Sequence, residues 1–188
     1  MNKSNFKTNL VGQFLIASPS MNDPHFHQTV TYICENNEAG SLGFIINRPM
    51  EADLSDILNQ LDLENSQALA NFPILQGGPV GLERGFVLHQ EGKWDNTSEI
   101  INGLSVTTSK DILKSISSGL GPSESLLILG YSGWGPGQLE QELTTSSWIN
   151  APANNEILFT VPYENRWQKA INLLGIEASD ISDQIGHA

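Results

Sequence analysis

The chain has 188 residues, 39% of them hydrophobic, and its 9 Lys and Arg face 21 Asp and Glu for a formal net charge of −12. That length and composition suit one globular domain, residues 1–188, with enough apolar surface for a real core, and do not describe a disordered chain. The charge argues against direct nucleic-acid binding, which needs clustered Lys and Arg on phosphates, and against docking on anionic lipid.

No apolar run approaches the roughly 20 residues that span a bilayer, so no membrane segment is expected. Polar Thr8 and Asn9 interrupt the start MNKSNFKTNL before any apolar signal core forms, which predicts a cytoplasmic protein. The single cysteine, Cys34, excludes an intrachain disulfide and any multi-cysteine metal site. Flanked by Tyr32 and Ile33, it reads as a small buried core residue.

Phe14–Ala17 reads as a buried strand that ends at Pro19. Residues 29–47 read as a hairpin: a β-branched run over Thr29–Glu35, a turn over 36–40, and a second apolar run over Leu42–Asn47. Leu54, Ile57, Leu58 and Leu61 recur at helical spacing behind Asp53, a candidate N-cap. Pro73–Gln76 and Gly85–His89 read as strands, and Ile100–Thr107 as a strand or hairpin pivoting at Asn102-Gly103.

A helix is expected from an N-cap at Thr108, through Ile112, Leu113 and Ile116, to a stop at Gly119. Leu126–Tyr131 is a continuous apolar run, expected to be a central strand buried on both faces. A glycine-rich turn over 133–137 leads into a helix over Gln138–Leu143. Ile157–Val161 reads as the last strand, and Pro162 opens a final helix whose apolar face is Trp167, Ala170, Ile171 and Leu174, closed by Gly175. Strands in runs with interspersed helices predict an α+β fold with a mixed, partly antiparallel sheet.

Several constellations bear on chemistry. Gly130-Tyr131-Ser132-Gly133-Trp134 fails as a hydrolase nucleophile elbow, because an indole stands where the tight turn wants glycine. It fails as a dinucleotide fingerprint too, since Gln138 occupies the third glycine's place. A tight turn with Trp134 packed over it is the simpler reading, and an anion site at the following helix start is the alternative. His25 and His27 lie two apart near Pro24 without an evident third ligand, so no metal site is expected. His89 ends a strand with no carboxylate forced beside it.

Asn47-Arg48-Pro49 places an arginine fork at a strand end, where it can take a carboxylate or phosphate. The alternative is that Arg48 pairs with an acid such as Glu38 or caps a chain carbonyl. Gln76-Gly77-Gly78-Pro79, with Arg84 behind it, offers a second polar turn. Glu140 and Glu142, two apart on a helix, point to different faces and make a poor catalytic pair.

Taken in order, these segments resemble the AlgH/YqgE family of bacterial proteins. The resemblance rests on Gly12–Pro19 with Met21 and Asp23-Pro24, on Gly43–Pro49, Gln76–Val80 and Arg84–His89, and on Gly130–Glu140, Trp148 and Pro162–Trp167. It covers nearly the whole chain. It implies a compact α+β fold with a barrel-like or bifurcated sheet and peripheral helices, with no cofactor and no assigned catalytic residue. The family's name comes from a proposed role in regulating alginate synthesis. Where the family often has alanine this chain has Ser132, which argues against that serine as a nucleophile. The family's frequent arginine near Phe26–Thr29 is missing here, which weakens an anion site at that turn.

The leading expectation is a non-enzymatic binding or regulatory protein that captures an unidentified protein partner or small ligand and affects transcription only indirectly. Its candidate surface joins Asn47, Arg48, Gln76, Gly77, Gly78, Arg84, Ser132, Trp134 and Gln138. The alternatives are a hydrolase or transferase acting around Ser132 or His89, and, disfavoured by charge, a direct DNA-binding regulator.

Overall fold

The computed structural model describes residues 9–52, 54–63 and 72–175. Among the described residues nine strands form one sheet: β1 (Gln13–Ala17), β2 (Val30–Asn37), β3 (Gly40–Ile45), β4 (Ile74–Gln76), β5 (Val80–Gln90), β6 (Thr97–Glu99), β7 (Leu104–Thr107), β8 (Ser125–Trp134) and β9 (Trp148–Pro152). Four α-helices accompany them among the described residues: α1 (Leu54–Gln60), α2 (Lys110–Ser117), α3 (Gln138–Thr144) and α4 (Tyr163–Asn172). The order across the sheet is β6-β7-β5-β8-β3-β2-β1-β9, with β4 joined to β8 off that path. All pairings are antiparallel except β4 with β8, so the expected α+β fold with a mixed, curled sheet is what forms.

The sheet forks at β8. One edge of this strand carries β5, from Ser125 to Tyr131. The other carries β4 in parallel at Leu127–Leu129, then β3 antiparallel at Ser132–Trp134. The chain after β4 crosses this junction closely. Gly77 N donates to Leu129 O, and Gly77 O accepts from Ile45 N, both at 2.8 Å. A Cβ at Gly77 would collide with Gly130 O and the Ile128 side chain, and one at Gly78 with the Tyr131 carbonyl and Ser132 Oγ. Only glycine permits that approach.

Period-two alternation explains how both faces are filled. Phe14, Ile16, Leu126 and Ile128 enter a core inside the curl with Tyr32, Phe44, Phe86 and Leu88, closed at one end by Ala170 and Ile171 of α4. Leu127, Ile74 and Val87 face outward beneath α1 and α2. Leu15, Ala17 and Ile33 pack outward against Trp134, Leu139 and Trp148. Cys34 is buried as expected, and that burial raises its thiol pKa.

The structure departs from the sequence reading in several places. Ile157–Val161 is not a strand. Asn154 Oδ1 accepts from Ile157 N at 3.1 Å, and a π-helical turn over Glu156–Thr160 follows, closed by Val161 N donating to Glu156 O at 2.9 Å. The last strand is β9, unforeseen because Asn150 and Pro152 break its pattern. Proline is tolerated there because β9 is a terminal strand, paired only with β1 among the described residues.

β8 runs on to Trp134, so the glycine turn before α3 starts at Gly135 rather than 133. Ser109 takes the N-cap position of α2 in place of Thr108, and Pro162 stands one residue before α4. The expected cap Asp53 lies outside the described residues. The β6–β7 hairpin does pivot at Asn102-Gly103, both at positive φ, 54° and 77°, as a tight hairpin turn requires.

Arg166 of α4 is 2% exposed and has no carboxylate partner among the described residues. It donates through Nε to Val161 O at 2.9 Å and through a terminal nitrogen to Ile46 O, and lies over the Tyr163 ring at 4.4 Å. Burial pulls its pKa down to about 10, so it remains a cation at neutral pH. Arg166→Met leaves two carbonyls without their donor, at about 1–3 kcal/mol each, and should lower the melting temperature by roughly 5–15 °C for a chain of this size. Gly77→Ala should cost about 1–3 kcal/mol through overpacking at the fork. Differential scanning calorimetry reads both, and an unchanged transition in either variant would refute the corresponding account.

Candidate functional site

The fork positions the segment that carries Arg48. Gln76 N donates to Arg48 O and Met50 N to Ile74 O, each at 2.8 Å, laying residues 48–50 along β4. Asn47 faces the loop before β2. Its Oδ1 accepts from Val30 N at 2.9 Å and its Nδ2 donates to Gln28 O at 2.8 Å. Arg48 donates to His27 O at 2.7 Å. The carbonyl-capping alternative for Arg48 therefore holds, and no described carboxylate lies within ion-pairing distance of it.

Half-buried Arg48, whose other side-chain N–H groups have no hydrogen-bond partner among the described residues, lines a cleft of about 100 Å³ together with Pro24, His25, Ile45, Gln76, Gly78 and Pro79. His25 carries the one ion pair among the described residues, with Asp23 at 3.3 Å. The cleft can hold a carboxylate or phosphate group, and little more.

Four of the singled-out residues thus meet around this cleft: Arg48, Gln76 and Gly78 on its wall, and Asn47 bracing the loop that supplies Pro24 and His25. Gly77 and Ser132 are not on its wall. Ser132 is fully buried and donates to Gly77 O at 3.1 Å, so the hydroxyl serves the fork.

Trp134 and Gln138 are engaged elsewhere. Trp134 Nε1 and Trp148 Nε1 donate to the same Glu142 Oε2, at 3.0 and 2.8 Å. Gln138 accepts from Gly135 N at 3.0 Å and donates to Glu142 Oε1 at 2.8 Å. Phe26 packs on both indoles, with centroids at 6.2 and 5.3 Å, and so anchors the loop bearing His25. Glu140 accepts instead from Asn36 at 3.2 Å, and the two glutamates do face apart.

Arg84 lines a different opening, the mouth of the curled sheet, so the singled-out residues do not form one surface. A third cleft, about 380 Å³, lies between α1, α2 and the outer face of β5 and β8, with Ile57, Leu61, Leu113, Leu127 and Leu129 on its walls.

His89 and Ser132 do not meet. His89 pairs with Ser125 in the β5–β8 register, seven residues from Ser132 along β8, which is roughly 23 Å of strand. The imidazole is buried, with Nε2 2.9 Å from Thr107 Oγ1 and Nδ1 3.0 Å from Glu91 O, and its ring lies edge-on to Trp94. Among the described residues no group of three or more His, Cys, Asp or Glu is placed to hold a metal ion, and no helix is long and apolar enough to cross a membrane.

Sequence reasoning missed Glu142 as the shared acceptor of two indoles, and missed Pro24 and His25 as cleft walls. A carboxylate within eight residues of two tryptophans was the available signal for the first. Nothing local signalled the second, because those residues meet only through the fork.

Comparison with known proteins agrees with this architecture. A family model described as AlgH-like matches residues 14–179. A UPF0301 protein of Nitrosospira multiformis is 48% identical over 95% of this chain and 97% of its own length. One from Cupriavidus pinatubonensis is 48% identical over 100% of both. The solution structure of the AlgH protein from Pseudomonas aeruginosa superposes with a TM-score of 0.80 at 44% identity, covering 100% of each chain. A crystal structure of a Corynebacterium diphtheriae protein, at 23% identity and TM-score 0.69 over 87% of this chain and 86% of its own, shares the fold. The chain belongs to the AlgH-like family of bacterial proteins.

Proposed function

We propose that this chain is a single-domain cytoplasmic binding protein, not an enzyme, and that its Arg48 cleft recognises an anionic group, a carboxylate or phosphate, on a small ligand or partner protein. The observation that carries the reading is an arginine with free donors in an acid-rich protein, beside a cleft sized for one such group. Arg–carboxylate and Arg–phosphate contacts are charge-assisted and directional, about twice as strong as neutral hydrogen bonds. Gln76 adds an amide on the same wall. The two residues that would have supported an acyl-transfer reading, Ser132 and His89, are buried and hydrogen-bonded within the fold. Any influence on transcription is then indirect, through what the cleft captures.

Isothermal titration with inorganic phosphate and with succinate tests this. Arg48→Gln should weaken binding at least tenfold, about 1.4 kcal/mol, and Gln76→Ala, which leaves the arginine's loop contact intact, should weaken it several-fold. Equal binding by both variants would overturn the reading. Tight retention on duplex DNA, falling steeply with salt, would replace it with direct DNA binding.

A further inference from the structure

The mouth of the curled sheet carries a second recognition feature, independent of Arg48. A groove of about 470 Å³ opens there, within the range of ligand sites. Leu42, Phe44, Phe86 and Val106 supply apolar walls. Opposite them runs β6, and five consecutive residues, Asn96 to Ile100, line the groove. Alternate residues of a strand point to opposite faces, so a consecutive run means that the groove follows the edge of β6 and not one face.

That edge is unpaired among the described residues. There β6 is a terminal strand bonded only to β7. Ile100 N donates to Leu104 O at 2.8 Å, and in the antiparallel alternation the next bonded pair is Ser98 with Val106. Thr97 and Glu99, opposite Thr107 and Ser105, therefore turn their N–H and C=O groups away from β7 and into the groove. Among the described residues neither has a backbone partner on that side. Such a row of groups is a template for one more strand.

Arg84 sets the direction of that strand. Its guanidinium lies 5.5 Å from the ring centroids of both Phe86 and Tyr131, and it has neither a hydrogen bond nor a carboxylate partner among the described residues. Through β7, Val87 of β5 lies level with Thr97, and His89 lies level with Glu99. Arg84 therefore lies beyond the Thr97 end. A strand added antiparallel to β6 points its C-terminus at Arg84, whereas a parallel one would bring an ammonium there. Glu35 and Glu99 also line the groove, which disfavours a wholly anionic ligand and suits a peptide with one terminal carboxylate and basic side chains.

We propose that the half-barrel mouth receives the extended C-terminal peptide of a partner protein, added antiparallel to β6 with its terminal carboxylate on Arg84. Main-chain bonds to Thr97 and Glu99 give affinity, and alternate side chains resting on Phe44, Phe86 and Val106 give preference for apolar residues, the division of labour usual in strand addition. At roughly 3.3 Å per residue, the span from the level of Glu99 to that of Arg84 takes about five residues.

The test uses the full chain and an array of pentapeptides tethered by their N-termini with free carboxylates, followed by fluorescence polarisation of the best binders. The expected result is a set of binders with alternating apolar residues, each weakened at least tenfold by C-terminal amidation and by Arg84→Gln. Glu99→Pro removes an outward N–H while leaving the Ser98–Val106 pair, and should weaken them at least tenfold with the circular dichroism unchanged. Should that variant unfold, backbone N-methylation of the probe decides: methyls on one alternate set of residues should abolish binding, and on the other set leave it intact. An array without binders overturns the proposal. So do binders indifferent to amidation, or N-acetyl amino acids that bind as tightly as pentapeptides. Inorganic phosphate should not compete with the peptide, which keeps this outcome separate from that of the Arg48 cleft.

Discussion

Two strands share one edge of β8, and this constraint organises the molecule. β4 uses that edge at Leu127–Leu129 and β3 uses it at Ser132–Trp134, so the chain must change partners between them. The gap left by the change is filled by the backbone of Gly77 and Gly78, bonded to Leu129, to Ile45 and to the Ser132 hydroxyl. A side chain at either glycine would strike β8. Gln-Gly-Gly-Pro and Gly-Tyr-Ser-Gly, far apart in sequence, are thus the two sides of one crossing. Their resemblance to ligand-binding turns has a structural cause.

The same crossing determines where Arg48 lies. Once β4 is fixed against β8, the pairing of Gln76 with Arg48 O and of Ile74 with Met50 fixes the backbone from 48 to 50. Two residues before Arg48, Ile46 leaves the sheet with its carbonyl turned inward, and Arg166 supplies that carbonyl with a donor. A buried cation with no carboxylate is costly unless its donors are satisfied. Here two main-chain oxygens and the face of Tyr163 take that role. The effect is to tie α4, at the far end of the chain, to the base of the Arg48 corner.

Much of the fold was legible because local pattern and final environment agree. Phe14–Ala17, the hairpin through Asn37 and Gly40, and the 112, 113, 116 face of α2 all bury the residues their periodicity selects. The failures come where local pattern is overridden. Ile157–Val161 looks like a strand, yet the Asn154 side chain and the end of β9 at Pro152 turn it into a helical corner. Trp148–Pro152 carries no clear strand pattern, yet a terminal strand needs only one row of hydrogen bonds and β1 supplies it. The candidate site was half legible. Asn47, Arg48, Gln76 and Gly78 could be selected as polar and glycine residues at strand ends, but Trp134 and Gln138 turned out to be engaged with Glu142. Their separation from Arg48 and Arg84 follows from which face of the forked sheet each residue takes, and no single segment encodes that.

The net charge of −12 and arginine-centred anion recognition are compatible because they act over different distances. At physiological ionic strength the Debye length is about 8 Å, so carboxylates spread over the surface exert little force on a group already seated in a cleft. A guanidinium 4 Å away does act there, with about 4 kcal/mol at an effective dielectric of 20. Acidic surroundings therefore slow the approach of an anion without preventing its capture. They also exclude polyanions, whose binding needs many cations in register. Arg48 and Arg84 have no carboxylate partners among the described residues, and under the two proposals each would take a single anionic group on an otherwise neutral or basic partner.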